Sequence, residues 1–143
     1  MAVNKLLVAF DESEGADRAL HMAASLAAVN PEAHVDIVYV VPIPLLDETQ
    51  MANVKDILDM MISDGEDLLA EAEQKMGEDV AARTDSLLLT GTNPATEIVK
   101  LIGQRDYDLL IVGNRGLSGL KEYMGSVSHK LLHASPIPVL IAK

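Results

Sequence analysis

Near its amino terminus the chain reads Leu6-Leu7-Val8-Ala9-Phe10, five apolar residues in succession, followed at once by Asp11. A continuous apolar run of this length is typical of a strand that is buried on both faces of a parallel sheet. Ser13 then offers a helix N-cap, and apolar residues recur at helical spacing as far as about Ala28. The opening therefore predicts a buried strand that passes directly into an amphipathic helix.

The alternation of strand and helix continues to the end of the chain. Four further apolar runs predict strands at residues 35–41, 86–90, 109–112 and 139–142. Helical spacing predicts three more helices, at about residues 51–76, 94–104 and 126–134. Within the first of these helices, we expect Gly65 to weaken the helix and Gly77 to end it. Five strands and four helices predict one three-layer α/β domain over residues 1–143, a parallel sheet with helices on both faces.

Composition and charge narrow the possible functions. The hydrophobic share of 49% and the charged share of 23% are close to those of folded domains, which excludes global disorder. Eleven Lys and Arg against 22 Asp and Glu give a net charge of −11, which disfavours nucleic acid and anionic membranes as partners. No apolar run is long enough to span a membrane, and no secretory signal is expected. Without cysteine there are no disulfides and no thiolate chemistry, and we expect a cytoplasmic protein.

A glycine-rich segment follows the fourth predicted strand, at the edge of the sheet where α/β folds of this kind bind ligands. Gly113, Gly116 and Gly119 are spaced by three, and glycine lets backbone N–H groups approach a ligand closely. Gly125 then precedes Ser126, whose hydroxyl and helix N-terminus offer an anion site. The segment predicts a cradle for a di- or triphosphate.

The alternative interpretation is a glycine-rich turn without a ligand. In favour of the cradle, Arg115 and Lys121 supply positive charge in an otherwise acidic chain. The segment is not a Walker P-loop, because Gly-Lys-[Ser/Thr] does not occur, and the first strand lacks the glycines of a dinucleotide fingerprint. Both interpretations stay open on the residues alone.

Other polar residues give weaker signals. Ser126 and Ser128 are candidate nucleophiles, but no histidine is placed to activate either, so we interpret them as phosphate ligands. His129 and His133 have the i, i+4 spacing of metal ligands, yet no third ligand of fixed spacing is near them. His34 has no partner that the sequence identifies. We assign no catalytic residue and no metal site made of protein side chains.

Taken together, these features resemble those of the universal stress protein family over essentially the whole chain. The shared stretches are the first strand with Asp11-Glu12-Ser13, the second strand end Val40-Val41-Pro42, residues 108–113, the glycine segment and residues 135–141. The resemblance implies an adenine nucleotide alpha-hydrolase-like fold with strand order 3-2-1-4-5. Many members carry the ATP-binding pattern Gly-x2-Gly-x9-Gly-[Ser/Thr]; here eight residues instead of nine separate Gly116 from Gly125.

The resemblance also implies a role for each matching residue. Asp11 would face the ribose and adenine of ATP or AMP, and Val40 would contact the adenine. Residues 113–116 would wrap the ribose and first phosphates, and residues 125–128 would hold the outer phosphates, with Mg²⁺ shared among phosphate oxygens. Valine in place of both Gly113 and Gly125 is then expected to abolish binding. The expected nucleotide-binding residues are Phe10, Asp11, Val40, Gly113, Asn114, Arg115, Gly116, Gly125, Ser126, Val127 and Ser128.

The expected function is a cytoplasmic, homodimeric module of the stress response that binds an adenine nucleotide and hydrolyses it slowly or not at all. The last strand, Val139–Ala142, would leave an apolar edge open in a monomer, and members of the family commonly dimerise by pairing it. Two alternatives stay open. One is a low-turnover adenylate-handling enzyme. The other is a nucleotide-free interaction protein that docks through the acidic stretch from Asp47 to Asp79, which carries −9 of the net charge.

Overall fold

The architecture is a doubly wound sheet, seen in a computed structural model that describes residues 2–11, 13–114 and 126–143. The five strands are parallel and lie in one sheet in the order β3-β2-β1-β4-β5, which confirms the predicted class and strand order. The elements are β1 (Lys5–Ala9), α1 (Glu14–Ala28), β2 (His34–Pro42), α2 (Glu48–Gln74), α3 (Glu78–Ala81), β3 (Thr84–Gly91), α4 (Pro94–Gln104), β4 (Leu109–Gly113), α5 (Ser126–Ala134) and β5 (Val139–Ala142).

The described residues contain five helices, so the prediction of four was wrong by one. Gly77 does separate two elements, as expected, and its φ of 85° lies in the left-handed region that favours glycine. Helix α3 follows it and covers only four residues, of which Val80 is buried. A single helical turn is too short for a helical period to appear in the sequence.

Both faces of the sheet are covered, and each carries its own hydrophobic core. Helices α1 and α2 pack on one face, over strand residues such as Leu6 and Val8. Helices α4 and α5 pack on the other face, over Leu7 and Leu110. Because successive strand residues point to opposite faces, a strand covered on both sides is apolar throughout. This is why β1 and β4 appear in the sequence as continuous apolar runs.

Helix α2 is the longest helix, with 27 residues, and it is strongly acidic. A capping box opens it, because the Asp47 side chain accepts the Gln50 backbone N–H while the Gln50 side chain accepts that of Asp47. Nowhere in the described part of the chain is a helix both long and apolar enough to cross a membrane, α2 included.

Gly65 is not a weak point of α2 but a site of close packing. It is buried, and a Cβ at this position would lie 2.9 Å from Cδ1 of Leu88 and 3.0 Å from Cε1 of Tyr39. The helix can therefore approach β2 and β3 more closely here than any residue with a side chain would allow.

Gly113 ends β4 on the face of the sheet that α1 covers. Val112 belongs to the core under α4 and α5, so strand alternation turns Ile111 and Gly113 toward α1. A Cβ on Gly113 would lie 2.4 Å from the carbonyl carbon of Gly15 and 2.6 Å from its oxygen. These are backbone atoms of the first turn of α1, which cannot move aside unless the helix moves. Packing therefore requires this glycine whether or not a ligand binds, and valine at position 113 does not isolate a binding role.

The contact between Gly113 and Gly15 predicts opposite effects for two glycine substitutions. We expect Gly113→Ala to lower the free energy of unfolding by about 1–3 kcal/mol, the usual cost of an overpacked contact. Gly103, exposed near the end of α4 with open space around it, is the matched control. We expect Gly103→Ala to raise the free energy of unfolding by about 0.5 kcal/mol. Urea unfolding followed by circular dichroism measures both, and a Gly113→Ala protein as stable as the unmutated one would contradict the packing argument.

Candidate functional site

A cleft opens at the carboxyl ends of β1, β2 and β4, where the order of the strands reverses. Strand β1 pairs with β2 on one side and with β4 on the other. Helix α1, which follows β1, packs on one face and α5, which follows β4, packs on the other, so the cleft lies between the starts of these two helices. The described residues that line it are Ala9, Phe10, Asp11, Ser13, Ala16, Tyr39, Val40, Pro42, Pro94, Ile98, Gly113, Val127 and Ser128.

The structure brings together six of the eleven residues predicted to bind a nucleotide. They come from four separate elements or their ends: Phe10, Asp11, Val40, Gly113, Val127 and Ser128. Two others do not line the cleft. The Asn114 backbone N–H donates to the Ala142 carbonyl at 3.0 Å, which extends the pairing of β4 with β5, and Ser126 is exposed at the start of α5. The remaining three lie outside the described residues: Arg115, Gly116 and Gly125.

Asp11 provides the carboxylate at the rim of the cleft. Its Oδ1 accepts a hydrogen bond from the backbone N–H of Ser13 at 2.8 Å, which forms an Asx turn. The buried Ser13 hydroxyl in turn accepts the N–H of Ala16 at 3.1 Å and caps α1. The turn and the cap together orient the Asp11 carboxylate, which is exposed and positioned to accept hydrogen bonds from the hydroxyl or amino groups of a ligand.

The wall of the cleft is mostly apolar. Val40 comes from the end of β2 and Ile98 from α4, and both are nearly buried. Pro42 and Pro94 flank them, and Pro94 is the first residue of α4, where its fixed φ suits the helix start. An apolar wall with a few polar groups at its rim is the usual construction of a small-molecule site.

Helix α5 differs from the other helices at this edge in the charge of its first turn. Helix α1 carries Glu14 and Asp17 there, and α4 carries Glu97. Helix α5 carries no acidic residue in its first turn, and Val127 and Ser128 of that turn line the cleft. Because a helix N-terminus concentrates partial positive charge, the α5 side of the cleft suits an anion. The β1 side, with Asp11, does not.

Seven lining residues were missed by sequence reasoning, and two of them carried a usable signal. Ser13 and Pro94 were interpreted only as the cap of α1 and the first residue of α4. A helix that follows a strand of a parallel sheet begins at the carboxyl edge, so its first residues lie beside the ligand cleft. Ile98 and Ala16 are one turn further along these helices, where helical spacing marks a core residue and a cleft residue alike.

The histidine pair of α5, the other candidate from the sequence at this end of the chain, does not form a metal site with further described residues. His129 and His133 contact each other edge to face, with ring centroids 4.7 Å apart, in a groove between α5 and α4. Among the described residues, no third metal-ligating group joins this pair.

Fold and cleft together define a doubly wound α/β protein whose candidate site lies at the topological switch point. The model of the universal stress protein family matches residues 2–143. The chain therefore belongs to the universal stress protein family.

Individual relatives agree with this assignment along their full length. Universal stress protein YxiE of Bacillus subtilis is 32% identical, with 98% of this chain and 99% of the relative covered. Universal stress protein UspA from Lactobacillus plantarum has the same fold, with a TM-score of 0.87 at 21% identity, covering 100% of this chain and 99% of that one. A universal stress protein solved in complex with cAMP is 26% identical, with a TM-score of 0.68, covering 99% of this chain and 97% of that one.

Proposed function

We propose that this protein binds an adenine nucleotide, ATP or AMP, in the cleft at the carboxyl ends of β1, β2 and β4. One observation carries the proposal. Side chains from the ends of β1 and β2 and from the first turn of α5 line a single cleft that has a carboxylate on one side and an acid-free helix start on the other. A ligand with a hydroxyl-bearing, planar end and an anionic end matches that distribution. A nucleotide has both.

The charge distribution also sets the direction of the bound nucleotide. The Asp11 carboxylate would repel phosphates placed beside it. The ribose hydroxyls are neutral and can donate hydrogen bonds to the carboxylate, so we place the ribose there. The adenine then lies against the apolar wall at Val40 and Ile98. The phosphates extend toward the start of α5, where Ser128 offers a hydroxyl and the helix offers backbone N–H groups.

A relative of known structure supports the same ligand class. The universal stress protein solved with cAMP shares the fold along nearly the whole chain and is 26% identical. Cyclic AMP contains the adenine, ribose and phosphate that the cleft is proposed to accept.

Magnesium would enter the site with ATP. The described lining has one carboxylate, Asp11, and it lies on the ribose side of the proposed pose. Phosphate oxygens and water would therefore be the main ligands of Mg²⁺, as is usual for this ion, and the metal would offset part of the phosphate charge. We propose slow or absent hydrolysis as part of this function.

The proposed assembly is a homodimer paired through β5. This strand is at the end of the sheet and pairs with β4 on one side. Its residues Val139, Leu140 and Ile141 are only half-buried. The carbonyls of Pro138 and Ala142 accept the N–H groups of Leu110 and Asn114 at 3.0 Å. Strand alternation therefore directs the polar backbone of Val139 and Ile141 outward. A second copy would satisfy these groups and cover the apolar side chains. The proposed compartment is the cytoplasm, where adenine nucleotides are abundant.

Nucleotide binding is tested by calorimetry with Mg·ATP and with AMP. We expect saturable binding to the unmutated protein. Asp11→Ala removes a hydrogen bond to a charged group, so we expect its Kd to be at least tenfold weaker. Ser128→Ala removes a neutral hydrogen bond, so we expect its Kd to be about threefold to tenfold weaker. The matched controls are Asp64→Ala and Ser63→Ala, exposed residues of α2 outside the cleft. The proposal fails if neither nucleotide gives heat with the unmutated protein, or if the cleft variants bind as well as the controls.

The dimer is tested by light scattering on the purified protein. We expect a mass of about twice 15.3 kDa at micromolar concentration. Ile141→Pro removes an outward N–H at the free edge without removing a donor to β4, and it should give a monomer. Ile141→Val keeps that N–H and should remain dimeric. A monomeric unmutated protein, or a dimeric Ile141→Pro protein, would show that β5 does not form the interface.

A further inference from the structure

A second polar cluster lies at the amino edge of the sheet, opposite the nucleotide cleft. We call His34, Asp36 and Asp85 the amino-edge cluster. His34 is the first residue of β2, and Asp36 follows it by two, so both side chains point to the same face. In the pairing of β2 with β3, Asp36 is directly opposite Asp85. Strand alternation and register therefore bring one imidazole and two carboxylates together.

Two carboxylates face each other across β2 and β3, and one of them is buried. Like charges directly opposite each other on neighbouring strands are destabilising, and the Asp36 side chain is only 7% exposed. Arg105 contributes one positive charge, because its Nη1 donates to Asp36 Oδ2 at 3.3 Å. The Asp85 side chain is 73% exposed, so water solvates its charge, and His34 lies between the two carboxylates.

His34 occupies that position with an unusual geometry. Its Nε2 lies 3.1 Å from Asp36 Oδ1 and also 3.1 Å from Asp85 Oδ2. A ring nitrogen carries at most one proton, so it cannot donate a full hydrogen bond to both oxygens. In a tetrahedral site with bonds of about 2.0–2.1 Å, neighbouring ligand atoms lie about 3.4 Å apart. All three ligand atoms of the cluster lie within 4.8 Å of one another. The spacing therefore fits three atoms that share one bound cation.

The supporting residues hold Asp36 in a ligating orientation. The Tyr107 hydroxyl and Arg105 both donate to Asp36 Oδ2, which directs Oδ1 toward His34. Burial, followed by the hydrogen bond to Asp36, raises the pKa of Tyr107. Hydrogen bonds that fix the second oxygen of a carboxylate ligand are typical of the surroundings of metal sites.

We propose that His34, Asp36 and Asp85 bind a divalent transition-metal ion, represented by Zn²⁺. An imidazole nitrogen with two carboxylate oxygens suits Zn²⁺ and similar ions better than Mg²⁺ or Ca²⁺, which prefer oxygen ligands alone. Three protein ligands leave the fourth position to water. The ion would reach the site through the cleft that His34 and Asp85 line, since their side chains are 44% and 73% exposed.

Other charges in that cleft limit the affinity. Lys5 and Arg105 line it beside the cluster, while Asp106 adds a further negative charge. The neighbouring cations oppose a divalent ion, so we expect weaker binding than at a structural zinc site without such cations. Binding would join the starts of β2 and β3, and it would raise Tm by mass action because the unfolded chain does not hold the three ligands together.

The test is calorimetric titration of Zn²⁺ into the full-length chain after chelator treatment, without nucleotide. We expect one Zn²⁺ per chain, and a Kd at least tenfold weaker for His34→Gln and for Asp85→Asn. The His34 side chain is about half exposed and that of Asp85 largely exposed, so these variants should fold, and thermal unfolding verifies that they do. Zn²⁺ should raise Tm of the unmutated protein but not of His34→Gln.

The matched control is the double variant His129→Gln, His133→Gln, which removes the other histidine pair with metal-ligand spacing. It should bind Zn²⁺ as the unmutated protein does, and so should Asp11→Ala in the nucleotide cleft. The proposal is overturned if the unmutated protein shows no saturable Zn²⁺ binding. It is also overturned if binding survives His34→Gln and is lost in the double variant. Either result leaves the nucleotide proposal untouched, because the two sites are at opposite edges of the sheet.

Discussion

The backbone contact between Gly113 and Gly15 is the constraint on which the proposed nucleotide cleft depends. Strand β4 ends against the first turn of α1 with no room for a Cβ between them. This contact positions the start of α1, and with it the turn in which Ser13 holds the Asp11 carboxylate. A helix displaced from this position would shift the carboxylate relative to β4 and change the width of the cleft between the starts of α1 and α5. The absence of a Cβ at Gly113 is therefore needed both for the packing of the fold and for the geometry of the candidate site.

Because the strands are parallel, functional side chains gather at two opposite edges of the sheet. All carboxyl ends meet at one edge, where the starts of α1, α4 and α5 surround an apolar cleft. All amino ends meet at the other, where residues at the starts of β2 and β3 form the amino-edge cluster. Strand β2 contributes to both, with Asp36 near its beginning and Val40 near its end. The fold therefore places residues of two proposed binding sites on one strand without bringing the sites into contact.

Much of the fold could be predicted because strands that are covered by helices on both faces are continuous apolar runs in the sequence. Strand β5 has the predicted limits, and the Ser13 cap of α1 was identified from its position alone. Helix α3 was missed because one turn has no period. Gly65 was misread because a glycine that admits a neighbouring strand and a glycine that weakens a helix look the same until the packing is known.

The site was predictable where a residue follows a strand and unpredictable where it depends on pairing across the sheet. Asp11, Val40 and Gly113 end apolar runs, so the direction of a parallel sheet places them at one edge. The partners of His34 depend on the register that sets Asp36 opposite Asp85, and no local pattern specifies that register. The reason for Gly113 was likewise hidden, because the contact partner, Gly15, is distant in sequence.

A crystal structure of the protein grown with AMP is the most direct measurement of the central claim. The account predicts adenine against Val40, ribose hydroxyls at the Asp11 carboxylate and the phosphate at the start of α5. AMP bound with its phosphate beside Asp11, AMP bound away from these three residues, or a cleft without AMP at saturating concentration would contradict it.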